Sequence, residues 1–171
     1  SANDAATVLA LRISGSIEAF AETMNERAAS IGAKDTQFKN PHGLDDDEHY
    51  TTAHDLSLIT AEALKNEMFR TVSSTYKYSF KIGDDTRTVV NHNKLLKSYD
   101  GCIGVKTGYT KRCGRCLVSA AERDGVTLIA VTLNAPDDWR DHTAMLDYGF
   151  ANYEQVVFSQ AGSSMMDFPI T

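Results

Sequence analysis

The chain has 171 residues, 42% hydrophobic and 23% charged, with a formal charge of -6 and a pI near 5.3. This describes one globular domain, and no apolar run is long enough for a membrane-spanning helix. The acidic balance argues against nucleic acid, whose binding proteins carry basic patches.

In chain order, a first apolar helix is predicted over residues 4–12, ended by Ser14-Gly15. A better-marked one follows over residues 16–31. Ser16 suits its N-cap and Glu18 its first-turn dipole, while Ile17, Phe20, Met24, Ala28 and Ile31 recur at helical spacing as a core stripe that Gly32 stops. The acidic run Asp45-Asp46-Asp47-Glu48 reads as a solvated loop, because it lacks the alternating ligands and turn glycine of an EF-hand. Thr52-Ala53-His54-Asp55 has the capping-box pattern and opens a third helix through Leu56, Ile59 and Ala63 toward Lys65, with Asp55 as a cap.

Tyr76, Tyr78, Phe80 and Ile82 then alternate with Lys77, Ser79 and Lys81, the period of a half-buried strand. Gly83-Asp84-Asp85 supplies a turn and residues 86–90 its hairpin partner, expected to border a site rather than form the main sheet. The main sheet is predicted from strands at 103–109, 116–123 and 126–133, the last two joined by an Asp124-Gly125 turn. The third of these is almost continuously apolar or β-branched, so burial on both faces and helices on both sides are expected. Residues 136–148 supply one such helix, closing at Gly149, and residues 153–158 read as the start of a further β segment.

Two metal or redox readings are weak. His42, His49 and His54 lack the H-E-x-x-H helix of a zinc site, and His54 falls in a capping segment. Cys113-Gly114-Arg115-Cys116 is a single C-x-x-C, where a structural zinc takes four ligands, and a strand would splay the pair. With Cys102 the count is odd; buried free thiols are expected, a Cys102 pairing with Cys113 or Cys116 staying open.

The chemistry-bearing elements are Lys106-Thr107-Gly108, inside the run from Gly104 to Thr110, and Ser1-Ala2-Asn3 at the chain start. K-T-G, S-x-N and S-x-x-K are the active-site elements of penicillin-recognising serine enzymes, with the S-x-x-K serine as nucleophile. Four runs arrive in order: Phe38-Lys39-Asn40-Pro41-His42-Gly43-Leu44-Asp45, Asn91-His92-Asn93-Lys94-Leu95-Leu96, residues 104–110, and Leu146-Asp147-Tyr148-Gly149-Phe150. On these the chain resembles the D-alanyl-D-alanine carboxypeptidases among the low-molecular-mass penicillin-binding proteins, from Ser1 to about Phe150.

The resemblance implies an α+β, transpeptidase-like fold in which helices pack an antiparallel sheet. Residues 1–150 would be the C-terminal portion of that domain, and 151–171 the start of a β segment or linker. Since S-x-x-K precedes S-x-N in the family, the nucleophile helix and two strands that pair beside residues 126–133 are expected upstream. The exposed edge then predicts a homo-oligomer, a domain swap or marginal stability. The literal match Ser74-Thr75-Tyr76-Lys77 reads as a decoy, since a strand points serine and lysine to opposite faces.

The implied chemistry is acyl transfer on a peptidoglycan stem peptide ending in D-Ala-D-Ala, with no cofactor and no metal, in an exported protein of the cell envelope; β-lactams would bind the complete enzyme. Ser1 would relay a proton and Asn3 would bind the substrate amide or position the S-x-x-K lysine. Lys106 would place charge near the substrate carboxylate and the Ser1 hydroxyl, and Thr107 would hydrogen-bond that carboxylate. Gly108 would admit the substrate backbone, and the Tyr109 N–H would form half the oxyanion hole. Arg140 and His92 are candidate carboxylate ligands. Two other readings are an inert module that binds peptidoglycan peptides and a β-lactamase. The second is disfavoured by Asn40-Pro41-His42-Gly43-Leu44 and the ending at 146–150.

Overall fold

Cap chemistry sets the first helices. A computed structural model describes residues 1–156 and begins with α1 (Asn3–Ser14), stopped by Gly15 at φ 80°, whose N–H bonds the Leu11 carbonyl. Ser16 Oγ accepts the Ala19 N–H at 3.0 Å and opens α2 (Ile17–Ser30). Of the expected core stripe only Ala28 is buried. Phe20, Met24 and Ile31 are half-covered, because α2 and α3 (Ala53–Ala63) diverge around an open, largely apolar cleft of about 630 Å3.

Thr52 caps α3 as its pattern predicts, but Asp55 does something else. Its buried carboxylate accepts the Asp35 N–H and the Thr36 hydroxyl, both at 2.7 Å, so it ties the loop after α2 to α3. A short helix, α4 (Glu67–Ser74), capped by Asn66, follows where no helix was predicted. Eight residues make a helix marginal on its own, and α4 is held by packing on β3 (Cys102–Thr110), with Ser73 Oγ on the Ile103 carbonyl at 3.2 Å.

The hairpin of β1 (Lys77–Ile82) and β2 (Asp85–Val90) pairs as the alternation requires, yet every residue in it is exposed. The alternation encodes the strand but not a half-buried face, because the hairpin stands apart from the main sheet. After α5 (Leu95–Ser98), the sheet runs β3–β4–β5 with β4 (Gly114–Arg123) in the centre and β5 (Val126–Thr132) at one edge, all antiparallel. Asp124 and Gly125, at φ 49° and 80°, make the predicted tight turn.

Burial on both faces falls on the central strand rather than on β5. Ala120 and Ala121 point to opposite faces and are both 0% exposed. One core gathers Leu117, Ala121 and Ala130 with Leu95 and Tyr99 of the α5 segment and Leu146 of α6 (Asp138–Asn152), while α3 and α4 also pack on the sheet. Helix α6 does not close at Gly149. The glycine lies inside it, and a Cβ there would sit 2.4 Å from Leu128 Cδ1, so its absence lets α6 lie close to β5. Residues 153–156 are irregular, and the rest of the proposed β segment lies outside the described residues.

Candidate active site

The start of α1 and strand β3 meet across a cleft of about 450 Å3. Of the residues singled out in the sequence, Ser1, Asn3, His92, Lys106, Thr107, Gly108 and Tyr109 all line it. Lys106 Nζ donates to Ser1 Oγ at 2.8 Å, joining groups 105 residues apart, and also to the Thr107 carbonyl. Lys106 lines the cleft as an exposed residue, yet desolvation by the surrounding atoms lowers its pKa.

Gly108 is glycine for a reason outside the fold. Its φ is not among the positive ones, and a Cβ would meet Cys116 at an ordinary 3.7 Å, so neither backbone strain nor packing demands it. What remains is its open side, which faces the cleft and lets another backbone come close.

A second wall is His42-Gly43-Leu44, the tip of the loop between α2 and α3. Asn40 shapes it, its Oδ1 accepting the Gly43 N–H at 2.7 Å and its Nδ2 donating to the Leu44 carbonyl at 3.0 Å. The acidic run that follows is more than a solvated loop. Asp45 accepts the Thr110 hydroxyl at 2.8 Å and Asp47 pairs with Arg112 at 2.6 Å, latching the loop to the β3–β4 turn, while Glu48 pairs with Lys39 at 3.0 Å within the loop. His49 serves this loop too, its Nδ1 accepting the Lys39 N–H at 3.1 Å.

Arg140 is not in the cleft. The first turn of α6 turns Asp138 and Trp139 toward it and leaves Arg140 exposed elsewhere. The cleft's cations are Lys106, Lys94 and Arg115, and its single carboxylate, Asp138, is paired with Arg115. A positive cleft in a chain of charge -6 is built to draw anions. The sequence reading passed over Lys94, Arg115 and Trp139. Lys94 lies inside the asparagine run, and Arg115 falls one position before the strand expected over 116–123.

Ser74 and Lys77 do not form a serine–lysine pair on one helix. Ser74 ends α4 with its hydroxyl on the Thr71 carbonyl at 3.3 Å, Thr75 is extended, and Lys77 begins β1. All three cysteines are free, but only two are shielded at all: Cys113 is exposed, while Cys102 and Cys116 are half-buried. Burial pushes the Cys102 thiol pKa up, and Cys116 lines the cleft.

A family model described as D-alanyl-D-alanine carboxypeptidase matches residues 1–137. D-alanyl-D-alanine carboxypeptidase DacF of Bacillus subtilis is 39% identical over 158 residues, covering 90% of this chain and 41% of that protein. An alanine-for-serine mutant of the Streptomyces K15 DD-transpeptidase superposes with a TM-score of 0.80 at 37% identity, over 86% of this chain and 63% of that one. Penicillin-binding protein D2 of Listeria monocytogenes in its ampicillin-bound form gives 0.78 at 30% identity, over 87% and 62%. The chain therefore spans less than two thirds of each of these relatives. With the ordered motifs, the shared α+β fold and the cleft that joins S-x-N to K-T-G, these matches show that the chain belongs to the D-alanyl-D-alanine carboxypeptidase family.

Proposed function

We propose that this chain carries the S-x-N and K-T-G part of a serine-type D-Ala-D-Ala carboxypeptidase site that removes the terminal D-alanine from peptidoglycan stem peptides. The observation that carries the reading is the Ser1–Lys106 contact at 2.8 Å beside the open face of Gly108. In the reaction a serine oxygen attacks the penultimate carbonyl, the peptide bond breaks, D-alanine leaves with a proton, and water hydrolyses the ester. Ser1 relays that proton toward the leaving amine, with Lys106 fixing its hydroxyl. Asn3 holds the substrate amide or the nucleophile's lysine, Thr107 hydrogen-bonds the terminal carboxylate, and the Tyr109 N–H stabilises the oxyanion. His92, on the rim, adds a polar contact to that carboxylate.

The nucleophile is supplied from outside the described residues, since Ser74 and Lys77 are not arranged to provide it. Residues 1–171 alone are then inert toward β-lactams, and the reading places the site in the cell envelope. Among the described residues no helix is long and apolar enough to cross a membrane. The unpaired edge of β5 and the exposed apolar side of α1 are covered by a second copy, by domain swapping or by the upstream segment.

Intact-mass spectrometry with benzylpenicillin tests this. Residues 1–171 are expected to stay unmodified, while the same chain extended by its upstream genomic sequence gains one penicilloyl group. In the extended chain Lys106→Ala slows acylation by about 10²–10⁴-fold. An extended chain that stays unmodified sinks the proposal, as does an adduct mapped to Ser74 in residues 1–171. A second reading, a peptide-binding module without turnover, is favoured by the separation of Ser74 from Lys77 and predicts binding without acylation in either length.

A further inference from the structure

The β1–β2 hairpin is an amphipathic ribbon exposed on both faces. Its register pairs Tyr78 with Val89, Phe80 with Arg87 and Ile82 with Asp85, and directly paired residues share a face. One face is therefore an apolar row flanked by a guanidinium and a carboxylate. Lys77, Ser79 and Lys81 take the other, where the Ser79 and Thr88 hydroxyls bond to each other at 2.7 Å.

The aromatic pair on the first face is ordered. Tyr78 and Phe80 have ring centroids 6.1 Å apart and planes only 21° apart, so both rings present their faces in one direction. Aligned rings with few rotatable bonds offer contact area at little entropic cost.

The surroundings limit what seats there. Lys77 and Lys81 guard the β1 edge against strand addition. The tip of the ribbon, Gly83-Asp84-Asp85, is polar and acidic in a chain of charge -6, which an anionic membrane surface repels. A β-1,4-linked sugar chain fits both parts of the face. Its pyranose rings offer flat C–H surfaces to the aromatic faces, and the hydroxyl and acetamide groups on their rims meet Arg87 and Asp85 as hydrogen-bond partners.

The ribbon is also continuous with the cleft. Strand β2 ends at Val90, and Asn91 fixes the base of the hairpin. Its N–H donates to the Tyr76 carbonyl at 2.8 Å, and its Nδ2 donates to the Ser73 and Thr75 carbonyls at 3.4 and 3.3 Å. Asn91 Oδ1 accepts the Asn93 N–H at 2.9 Å, which holds the cleft-lining His92 and Lys94 beside that base.

We infer that the Tyr78–Phe80 face is a docking surface for the glycan strand of peptidoglycan, beside the cleft that takes the stem peptide. The inference rests on the carboxypeptidase reading, which supplies a substrate whose peptide is covalently joined to a β-1,4-linked aminosugar chain. Two linked contacts on one polymer favour polymeric substrate over free stem peptide.

Chitohexaose, a β-1,4-linked N-acetylglucosamine hexamer without peptide, titrated into this chain and followed by amide nuclear magnetic resonance, reads the docking. Shifts are expected over residues 77–90, with the β3–β5 sheet unmoved. Tyr78→Ala together with Phe80→Ala weakens binding by about 10-fold or more. Both side chains are exposed, and an unchanged sheet spectrum verifies that the double variant is folded. Ser79→Ala, on the opposite face, keeps wild-type binding, and maltohexaose, whose α-1,4 links curve the chain away from the ring pair, binds more weakly. No hairpin shift with chitohexaose, or equal affinity in the double variant, overturns the inference. Hairpin binding to phosphatidylglycerol vesicles in place of the sugar does the same. None of these results touches the carboxypeptidase reading, which penicilloylation decides separately. An extended chain that takes no penicilloyl group while the hairpin binds the hexamer overturns that reading and keeps the sugar-binding surface.

Discussion

Single residues carry most of what the fold adds to the motifs. His142 is 0% exposed, with Nδ1 at 2.8 Å from Ser119 Oγ and Nε2 at 2.9 Å from Thr132 Oγ1. A neutral ring satisfies both hydroxyls, one as donor and one as acceptor. Burial drives its pKa down to about 4 against an opposing pull from Asp138 and Asp141. In the unfolded chain the ring protonates near its ordinary 6.5, so between those two values the unfolded state holds the extra proton. Stability is therefore full above pH 6.5 and falls as pH drops toward about 4, by on the order of 3 kcal/mol. Urea unfolding at several pH values checks this: His142→Gln is expected to be less stable at neutral pH but to have a shallower slope across that window. An unchanged slope would put the acid sensitivity on other groups. Asp55 makes a related point, since burial alone would raise its pKa and the bonds from Thr36, His54 and Asp35 reverse the sign.

At the scale of elements, patterning located the strands and caps but not their burial. The Tyr76–Ile82 alternation is met by strand pairing, yet Tyr78 and Phe80 remain 61% and 37% exposed because nothing among the described residues covers the hairpin. The Glu67–Ser74 helix went unpredicted although Met68, Phe69 and Val72 fall on one helical face; it is only two turns long, and Met68 and Val72 on that face are 71% and 64% exposed. Gly149 shows how context inverts a local rule. In an exposed helix a glycine-to-alanine change gains about 1 kcal/mol of helix propensity. Here the added methyl would sit 2.4 Å from Leu128 Cδ1, and overpacking costs about 1–3 kcal/mol. Gly149→Ala is expected to destabilise by up to roughly 2 kcal/mol in urea titration, and a stabilised variant would mean that Leu128 or α6 yields without loss.

The whole molecule combines an anion-attracting cleft with apolar surface that its own described residues do not cover. Val8, Leu9, Leu11 and Ile13 of α1 are 64%, 60%, 46% and 66% exposed, the α2–α3 cleft is open, and β5 offers an unpaired edge. Surface of this kind drives association in water. Sedimentation velocity of residues 1–171 is expected to show a concentration-dependent rise in mass, reduced by Leu9→Lys together with Ile13→Lys. A monomer at every concentration would show that this surface is tolerated bare.

The sequence by itself determined the family, the order of the strands and of the four longest helices, the turn at Asp124-Gly125 and the S-x-N and K-T-G elements that meet at the cleft. These rest on local rules: cap residues, two-residue turns and fixed side-chain spacing act within a few positions of where they are written. Only tertiary structure decided which arginine enters the cleft, which strand is buried on both faces, what Asp55 and Asp45 hold, and why Gly149 is a glycine. Each of those depends on groups tens of residues apart, Arg115 with Asp138 and Asp45 with Thr110 among them. Spacing along a chain carries no record of which distant atoms folding brings within hydrogen-bond distance.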